Sequence, residues 1–567
     1  MIMRKRWISG ILASVMAMSL LAGCGGSQSS TGDTAASTAA VGTEAAAGSE
    51  TTGGTEATGN VLRYVMNGEP ETLDPNMNNY AASSNVLLNL FTGLYQYSTD
   101  GTSVEPGCAE SHTISDDGLT YTFKLREGLK WSDGSPLTAA DFEYSWKREL
   151  KQETASTAAW QLYYIKNGEA YNNGQCEADE VGVKAIDDTT LEVVLNNPTP
   201  YFVNLTAANN FAPVKKDAVE GAEVWTKSAE TYVCNGPFMM AEIKPQEGYS
   251  LVKNPNYVFA DTVALDGIEM IFIEQAEAAL SAYNAGDVDA MSGNSIETQA
   301  MTQYDGNEEL HSYDLIGTSY YDFNCEKEYM TKEVRKALSM AISRDTINQV
   351  AVPSKPKSAY AFVPFGIPYA EETEDFRTKV GNTLITEDVE AAKQLLADAG
   401  YPGGEGLPTL QLIITNTKEN KDKAQILQAV WKENLGVNVE IVTFESKVYW
   451  DEHGAGNFDI AFDGWTGDYP DPNTNLSIFN KSRMEKECRW RSEEALRYDS
   501  LLEEAATLTD NNARMELFVE MEQILMDEMP VMPVYFRNTM ALVKPYVQGF
   551  TCDNSGHPLF RAVSMEK

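Results

Sequence analysis

The order of elements between residues 389 and 462 constrains the fold more than any other feature of the chain. Residues 389–399 carry apolar side chains at Ala392, Leu395, Leu396 and Ala399, end at Gly400 and meet Pro402, so the period and both stop signals predict a helix. A strand is expected over 410–415. A second helix over 421–435 turns Ile426, Leu427, Val430 and Trp431 inward and is closed by Gly436, and strands over 437–443 and 458–462 follow. This β-α-β order predicts a mixed sheet covered by helices, whose ligands sit beyond strand C-termini.

One such end is the stretch from Asp459 to Pro472, where an apolar run gives way to glycines, aromatics and acids. Gly464 and Gly467 let the backbone come close to a partner, Trp465 and Tyr469 offer flat walls, and Asp468 can present an ionised carboxylate between them. Such a set suits a ligand carrying an ammonium group. Composition alone favours a plainer alternative, a strand and a Pro-Asp-Pro turn with Trp465 and Tyr469 in the core and the acids solvated.

At 567 residues the chain exceeds what one core serves, so two or three domains are expected. Acids outnumber Lys and Arg by 83 to 43, which argues against nucleic acid as a partner because phosphates are bound through basic patches. Arg4-Lys5-Arg6 followed by an apolar run over 7–20 reads as a signal peptide, and Leu21-Ala22-Gly23-Cys24 resembles a bacterial lipobox. That resemblance implies removal of residues 1–23 and acylation of Cys24. Residues 27–60 are almost all Ser, Thr, Gly and Ala and cannot bury enough to fold. Region 24–60 is therefore read as a tether, its coil spanning roughly 30 Å. The six cysteines beyond it are scattered, so neither a zinc site nor a disulfide framework is indicated; an even count permits pairing without assigning it.

Folding is expected to start at a short strand over 61–65. In Leu119 to Arg126, Tyr121, Phe123 and Leu125 share one face, as in a half-buried strand, and Thr138 with Asp141 has the spacing of a helix start. The string from Leu119 through Trp131-Ser132-Asp133-Gly134 to Asp141-Phe142 resembles the signature of the bacterial extracellular solute-binding proteins of peptide ABC transporters. Glu71-Thr72-Leu73-Asp74-Pro75, Asn235-Gly236-Pro237-Phe238, Leu435-Gly436-Val437-Asn438-Val439 and Pro530-Val531-Met532-Pro533-Val534-Tyr535 agree with it in order. The similarity runs from about Val61 to the C-terminus and is nearest to oligopeptide-binding proteins.

The resemblance implies an α/β, two-lobed, periplasmic-binding-protein-like fold with an extra inserted domain. One discontinuous lobe would comprise 61–92, 219–316 and 537–567, the insert 93–218, and the second lobe 317–536, with hinge crossings near Gly317 and Phe536. In the family the acid of the Gly-Trp-x-x-Asp motif pairs with the amino end of a bound peptide, a role that falls on Asp468. Backbone of Gly464, Trp465 and Thr466 would pair with the ligand main chain, with Gly467 and Tyr469 beside it, and the loop around Asn79 would lie against the ligand. A monomer is implied, anchored through lipid on Cys24 at the extracellular face of the cell membrane, handing peptide to a permease and ATPase.

This chain departs from enteric members in two places. Phe462 stands where they carry a basic residue, and Asn79 where they carry an acid, so how the peptide's carboxyl end is held stays open. Lys421 or Lys423 could substitute, or be solvated helix-start lysines. No G-x-S-x-G, H-E-x-x-H or phosphate loop occurs. The histidines His112, His311, His453 and His557 lie far apart and are expected at the surface or in turns. No catalytic residue, metal or cofactor is therefore expected. The rivals are a same-fold receptor for a metal chelate, opine or sugar, and an extracellular hydrolase using Asp468 with another acid.

Overall fold

The structure, a computed structural model, describes residues 59–221, 224–370, 374–484 and 486–566, without the side chains of 298 and 299. The signal-peptide and tether readings, with Cys24, lie outside the described residues.

Two long strands, Leu310–Phe323 and Val531–Val543, pair antiparallel at the middle of a ten-stranded mixed sheet. On one side Leu310–Phe323 is followed by Ile460–Thr466, Leu410–Thr415 and Val439–Phe444; on the other Val531–Val543 is followed by Ala290–Ser292, Val61–Met66, Gly267–Phe272, Gly248–Lys253 and Phe238–Lys244. The apolar interior divides accordingly. A first core gathers Leu62, Trp146, Leu251 and Phe560, a second gathers Tyr320, Leu412, Trp431 and Phe518, and the long strands pass between them. Their pairing slips between Asp314 opposite Asn538 and Thr318 opposite Phe536. Extra residues on one strand break the ladder there and let it bend.

Residues 93–218 hold a separate antiparallel sheet, Ala109–Ile114, Thr120–Leu125, Thr190–Val194 and Val183–Asp187. Tyr121, Phe123 and Leu125 are buried as their alternation requires. The helix Ala139–Leu150 packs on it, opened by Thr138, whose N–H donates to Asp141 Oδ2 at 2.8 Å, and pinned by Trp146, whose indole N–H donates to Phe211 O at 2.9 Å.

Several boundaries in the α/β half differ from expectation, among them the strand expected over 437–443, which is Val439–Phe444. The helix Lys418–Leu435 begins earlier because Thr417 caps it, its side chain accepting from the Asn420 N–H. Its inner face is Ala424, Leu427 and Trp431, while Ile426 and Val430 are half-buried. The last strand is Ile460–Thr466 rather than 458–462, since Gly464, Trp465 and Thr466 find partners in Ser319, Thr318 and Gly317 of the long strand beside them. Tertiary pairing holds as strand what local glycine content reads as loop. Cys108, Cys234, Cys488 and Cys552 are buried, and no disulfide forms among the described residues. No described helix is long and apolar enough to cross a membrane.

Candidate functional site

The strand Ile460–Thr466 has one fully paired edge and one edge that opens partway along. Leu410–Thr415 pairs with it only at Ile460 and Ala461, whereas Leu310–Phe323 follows it along its whole length to Thr466. The Gly467 N–H donates to Ile316 O at 2.8 Å. Alternate residues of an antiparallel strand turn their backbone groups to opposite edges, so Asp463 and Trp465 face the paired strand and Phe462, Gly464 and Thr466 face the open one. The Phe462 carbonyl is taken by the Tyr449 hydroxyl. The Gly464 N–H is taken by the Asp463 carboxylate, so what remains beyond is the Gly464 carbonyl and the backbone of Thr466, an edge of the kind that accepts an added strand.

Two cavities flank this edge. The larger, about 440 Å³, takes wall residues from both sides of the long strands, among them Gly464, Phe462, Glu419, Lys423, Trp450 and Arg537. The smaller, about 190 Å³, is where Asp468 and Asn79 come together, with Tyr97, Asp553 and His557. Of the residues singled out in the sequence, Gly464 lines the first cavity and Asp468 and Asn79 the second. Trp465, Thr466, Gly467 and Tyr469 line neither. Trp465 is half-buried beneath the Arg483 guanidinium, 5.0 Å from its ring centroid, and Tyr469 is buried against Tyr201, their rings parallel and 4.2 Å apart. Gly467 is required by space, because a Cβ there would stand 2.5 Å from Thr474 Cγ2.

Asp468 is the notable charge. Its carboxylate is open to water in the cleft yet crowded by protein, and this desolvation pushes it up to about 6. No cation pairs with it among the described residues; only its backbone N–H is engaged, by Thr474 Oγ1 at 3.0 Å. Asp471, expected in a solvated turn, is instead buried, capping the helix Pro472–Leu476 and held by Arg514. One carboxylate of this loop is spent on structure and the other is left free.

Further groups are brought together by separate elements, in partnerships that the sequence does not show. Lys423 is buried in the larger cavity, 2.9 Å from Glu419, 3.0 Å from the Tyr535 hydroxyl and over the Phe462 ring at 3.8 Å. Lys421, three places from the helix start, is half-buried and lines neither cavity. Behind Gly464, Asp463 donates no proton to its neighbour but accepts the Gly464 N–H at 2.6 Å, and burial, then the charge of Asp322, pushes it up to about 7. His453, expected at the surface, is buried and bonded to Asp322 Oδ2 at 2.9 Å; His557 is held by Asp553 at 2.9 Å. Spacing along the chain offers no trace of these pairs.

The model of the bacterial extracellular solute-binding proteins, family 5, matches residues 103–486. The chain is 35% identical to the oligopeptide-binding protein of Bacillus subtilis over 87% of its length and 90% of that protein's. Among solved structures it resembles the unliganded open form of a periplasmic murein tripeptide-binding protein, with a TM-score of 0.77 and 31% identity over 90% of this chain and 99% of that one. It also resembles a peptide-bound oligopeptide-binding protein of Listeria monocytogenes, with a TM-score of 0.68 and 27% identity over 90% and 100% of the two chains. The chain belongs to the bacterial extracellular solute-binding proteins of family 5, and its fold is the two-lobed one of that family.

Proposed function

We propose that this protein is the extracellular, lipid-anchored receptor of a peptide importer, binding peptides between its lobes without chemical turnover and delivering them to a membrane permease and its ATPase. The observation that carries the reading is Asp468, an unpaired carboxylate at the end of an open strand edge. An α-ammonium supplies the missing charge, while the Gly464–Thr466 edge takes the peptide main chain and so gives affinity without reading side chains. Trp465, Gly467 and Tyr469 act from behind this edge by fixing the loop, and Asn79 closes the amino-end cavity. The names of the similar proteins, oligopeptide-binding in Bacillus subtilis and peptide-bound in Listeria monocytogenes, support the same cargo class.

The division of the interior into two cores supports lobes of 61–92, 219–316 and 537–567 and of 317–536, with 93–218 as an insert. Leu21-Ala22-Gly23-Cys24 supports the anchor. Calorimetry on Asp468→Asn and wild type, each with a free and an N-acetylated peptide, tests the reading. Acetylation should weaken wild-type binding by on the order of 2–5 kcal/mol and barely affect the variant, because the interaction is already gone. Equal wild-type affinity for both peptides would overturn the assignment.

A further inference from the structure

Behind the strand that carries the open edge, three side chains with metal-ligand chemistry converge from three elements. Asp322 stands on the long strand Leu310–Phe323, His453 on the helix Ser446–Ala455 and Asp463 on Ile460–Thr466. One donor atom of each lies within 4.8 Å of the other two, and the residues are only 1%, 2% and 5% exposed. The register brings the two strands' contributions together. Asp322 pairs with Ala461 and Tyr320 with Asp463, so both aspartates stand on one face of the sheet. Tyr449 of the helix packs with Ala461 on that face, and the His453 ring lies parallel to Phe458 at 5.0 Å, its Nε2 2.9 Å from Asp322 Oδ2.

Neither aspartate forms an ion pair with a Lys or Arg among the described residues. The Arg483 guanidinium, which also faces Asp463, is engaged by Glu487, whose two oxygens each accept its Nε–H at 2.7 Å. Two buried carboxylates are thus left facing one imidazole. Charges this deep persist only where they are paired or hold a metal. A divalent ion between two carboxylates and a neutral imidazole brings the sum to zero.

We infer that Asp322, His453 and Asp463 form a site for a divalent transition-metal ion such as zinc. The donor set selects the class, since imidazole with carboxylates suits zinc and manganese, whereas calcium and magnesium take shells of oxygen. Zinc holds such ligands at about 2.0–2.2 Å, roughly 3.3 Å from one another in a tetrahedron, so side-chain shifts of about an ångström close the site. Supporting hydrogen bonds are in place: Asp463 Oδ1 accepts the Gly464 N–H at 2.6 Å, and Oδ2 accepts the Tyr320 hydroxyl at 3.4 Å, which leaves each oxygen a lone pair. Asp463 also lines the larger cavity, which gives the ion its route in and its water ligand. Histidine spacing along the chain argues against a metal, but here one imidazole is completed by carboxylates that the register aligns. The ion ties the strand of the open edge to its neighbour and to the helix whose Tyr449 and Trp450 line the same cavity, and so stiffens the cleft wall. The site stands whether or not the ligand is a peptide.

The test strips the full chain with a chelator and titrates it calorimetrically with zinc, manganese, calcium and magnesium. The proteins are wild type, His453→Gln, Asp463→Asn and, as a control, His311→Gln. Wild type should take one zinc ion, and should bind calcium and magnesium about a hundredfold more weakly or worse. His453→Gln and Asp463→Asn should each weaken zinc by about a hundredfold or more, and His311→Gln should match wild type. Zinc should raise the unfolding temperature of wild type but of neither ligand variant. X-ray absorption at the zinc edge of wild type alone keeps the inference testable if a variant fails to fold, with one imidazole among oxygen donors as the expected shell. Sulfur in that shell would put the ion on a cysteine and overturn the site. Zinc held as tightly by His453→Gln as by wild type, calcium held as tightly as zinc, or no zinc bound at all would overturn it equally.

Discussion

Asp471 and Arg514 form a buried two-bond ion pair, Oδ1 to Nη2 at 2.6 Å and Oδ2 to Nη1 at 2.9 Å, just three residues beyond the exposed carboxylate of Asp468. Arg514 also lies 5.3 Å from the centroid of the Tyr201 ring on which Tyr469 stacks, so the pair fixes the loop that carries Asp468. Removing one partner leaves an uncompensated buried charge, and Asp471→Asn should lower stability by about 3–5 kcal/mol. Asp468→Asn should leave stability near wild type. Urea unfolding checks both; an Asp471→Asn protein as stable as wild type would show that the pair is not desolvated.

Peptide affinity should fall as pH falls. With Asp468 pushed up to about 6, it is mostly ionised at pH 7 and mostly protonated at pH 5, while an α-amine, which titrates at about 8, is largely protonated over that range. His557 lies in the same cavity; burial opposes its charge, but Asp553 prevails and raises it, so its positive charge at the acid end of the range also disfavours an ammonium. Affinity should drop roughly tenfold between pH 7 and pH 5. The Asp468→Asn protein should lose most of this dependence. A wild-type affinity that is flat over the range would mean that Asp468 does not meet the ammonium.

The floor of the cleft should make the fold less stable toward alkaline pH. Asp463 is raised to about 7, facing Asp322, His453, Glu487 and Arg483, and so binds its proton more tightly folded than unfolded. Stability from it is present at low pH and is lost as pH rises from about 4 to 7. His453 shares the sign: burial opposes its charge, but the bond to Asp322 prevails and raises it, so its contribution is complete below about 6.5 and fades above. Asp463→Asn should flatten the stability profile between pH 4 and 8. Parallel wild-type and variant profiles would refute the coupling.

Ligand should draw the lobes together about the bulged crossings beside Gly317 and Phe536, since a ligand buried between two bodies selects their closed arrangement. Small-angle scattering should give a smaller radius of gyration at saturating peptide. An unchanged profile would count against closure.

Cys24→Ala should release the protein from membranes, and labelled palmitate should enter the wild type at Cys24 alone. Absence of label would remove the anchor from the proposal.

Local sequence decided the elements that are governed by near neighbours. The alternation of Tyr121, Phe123 and Leu125 fixed a strand face, and Thr138 with Asp141 and Gly436 with its left-handed backbone fixed helix ends. The motif around Gly464 and Asp468 was also legible, because a strand that ends in glycines and an acid is a local pattern. What lay beyond reach were choices made by distant partners. Whether Gly464 to Thr466 is strand or loop depends on Gly317 to Ser319, roughly 150 residues away, through inter-strand bonds that carry no mark in either segment. Asp468 and Asp471 look alike in sequence, and only the arrival of Arg514 buries one and leaves the other open to the cleft. A residue's type is written in the sequence, but whether its charge is already neutralised is decided by which side chains the fold brings within a few ångströms, where Coulomb energies become large.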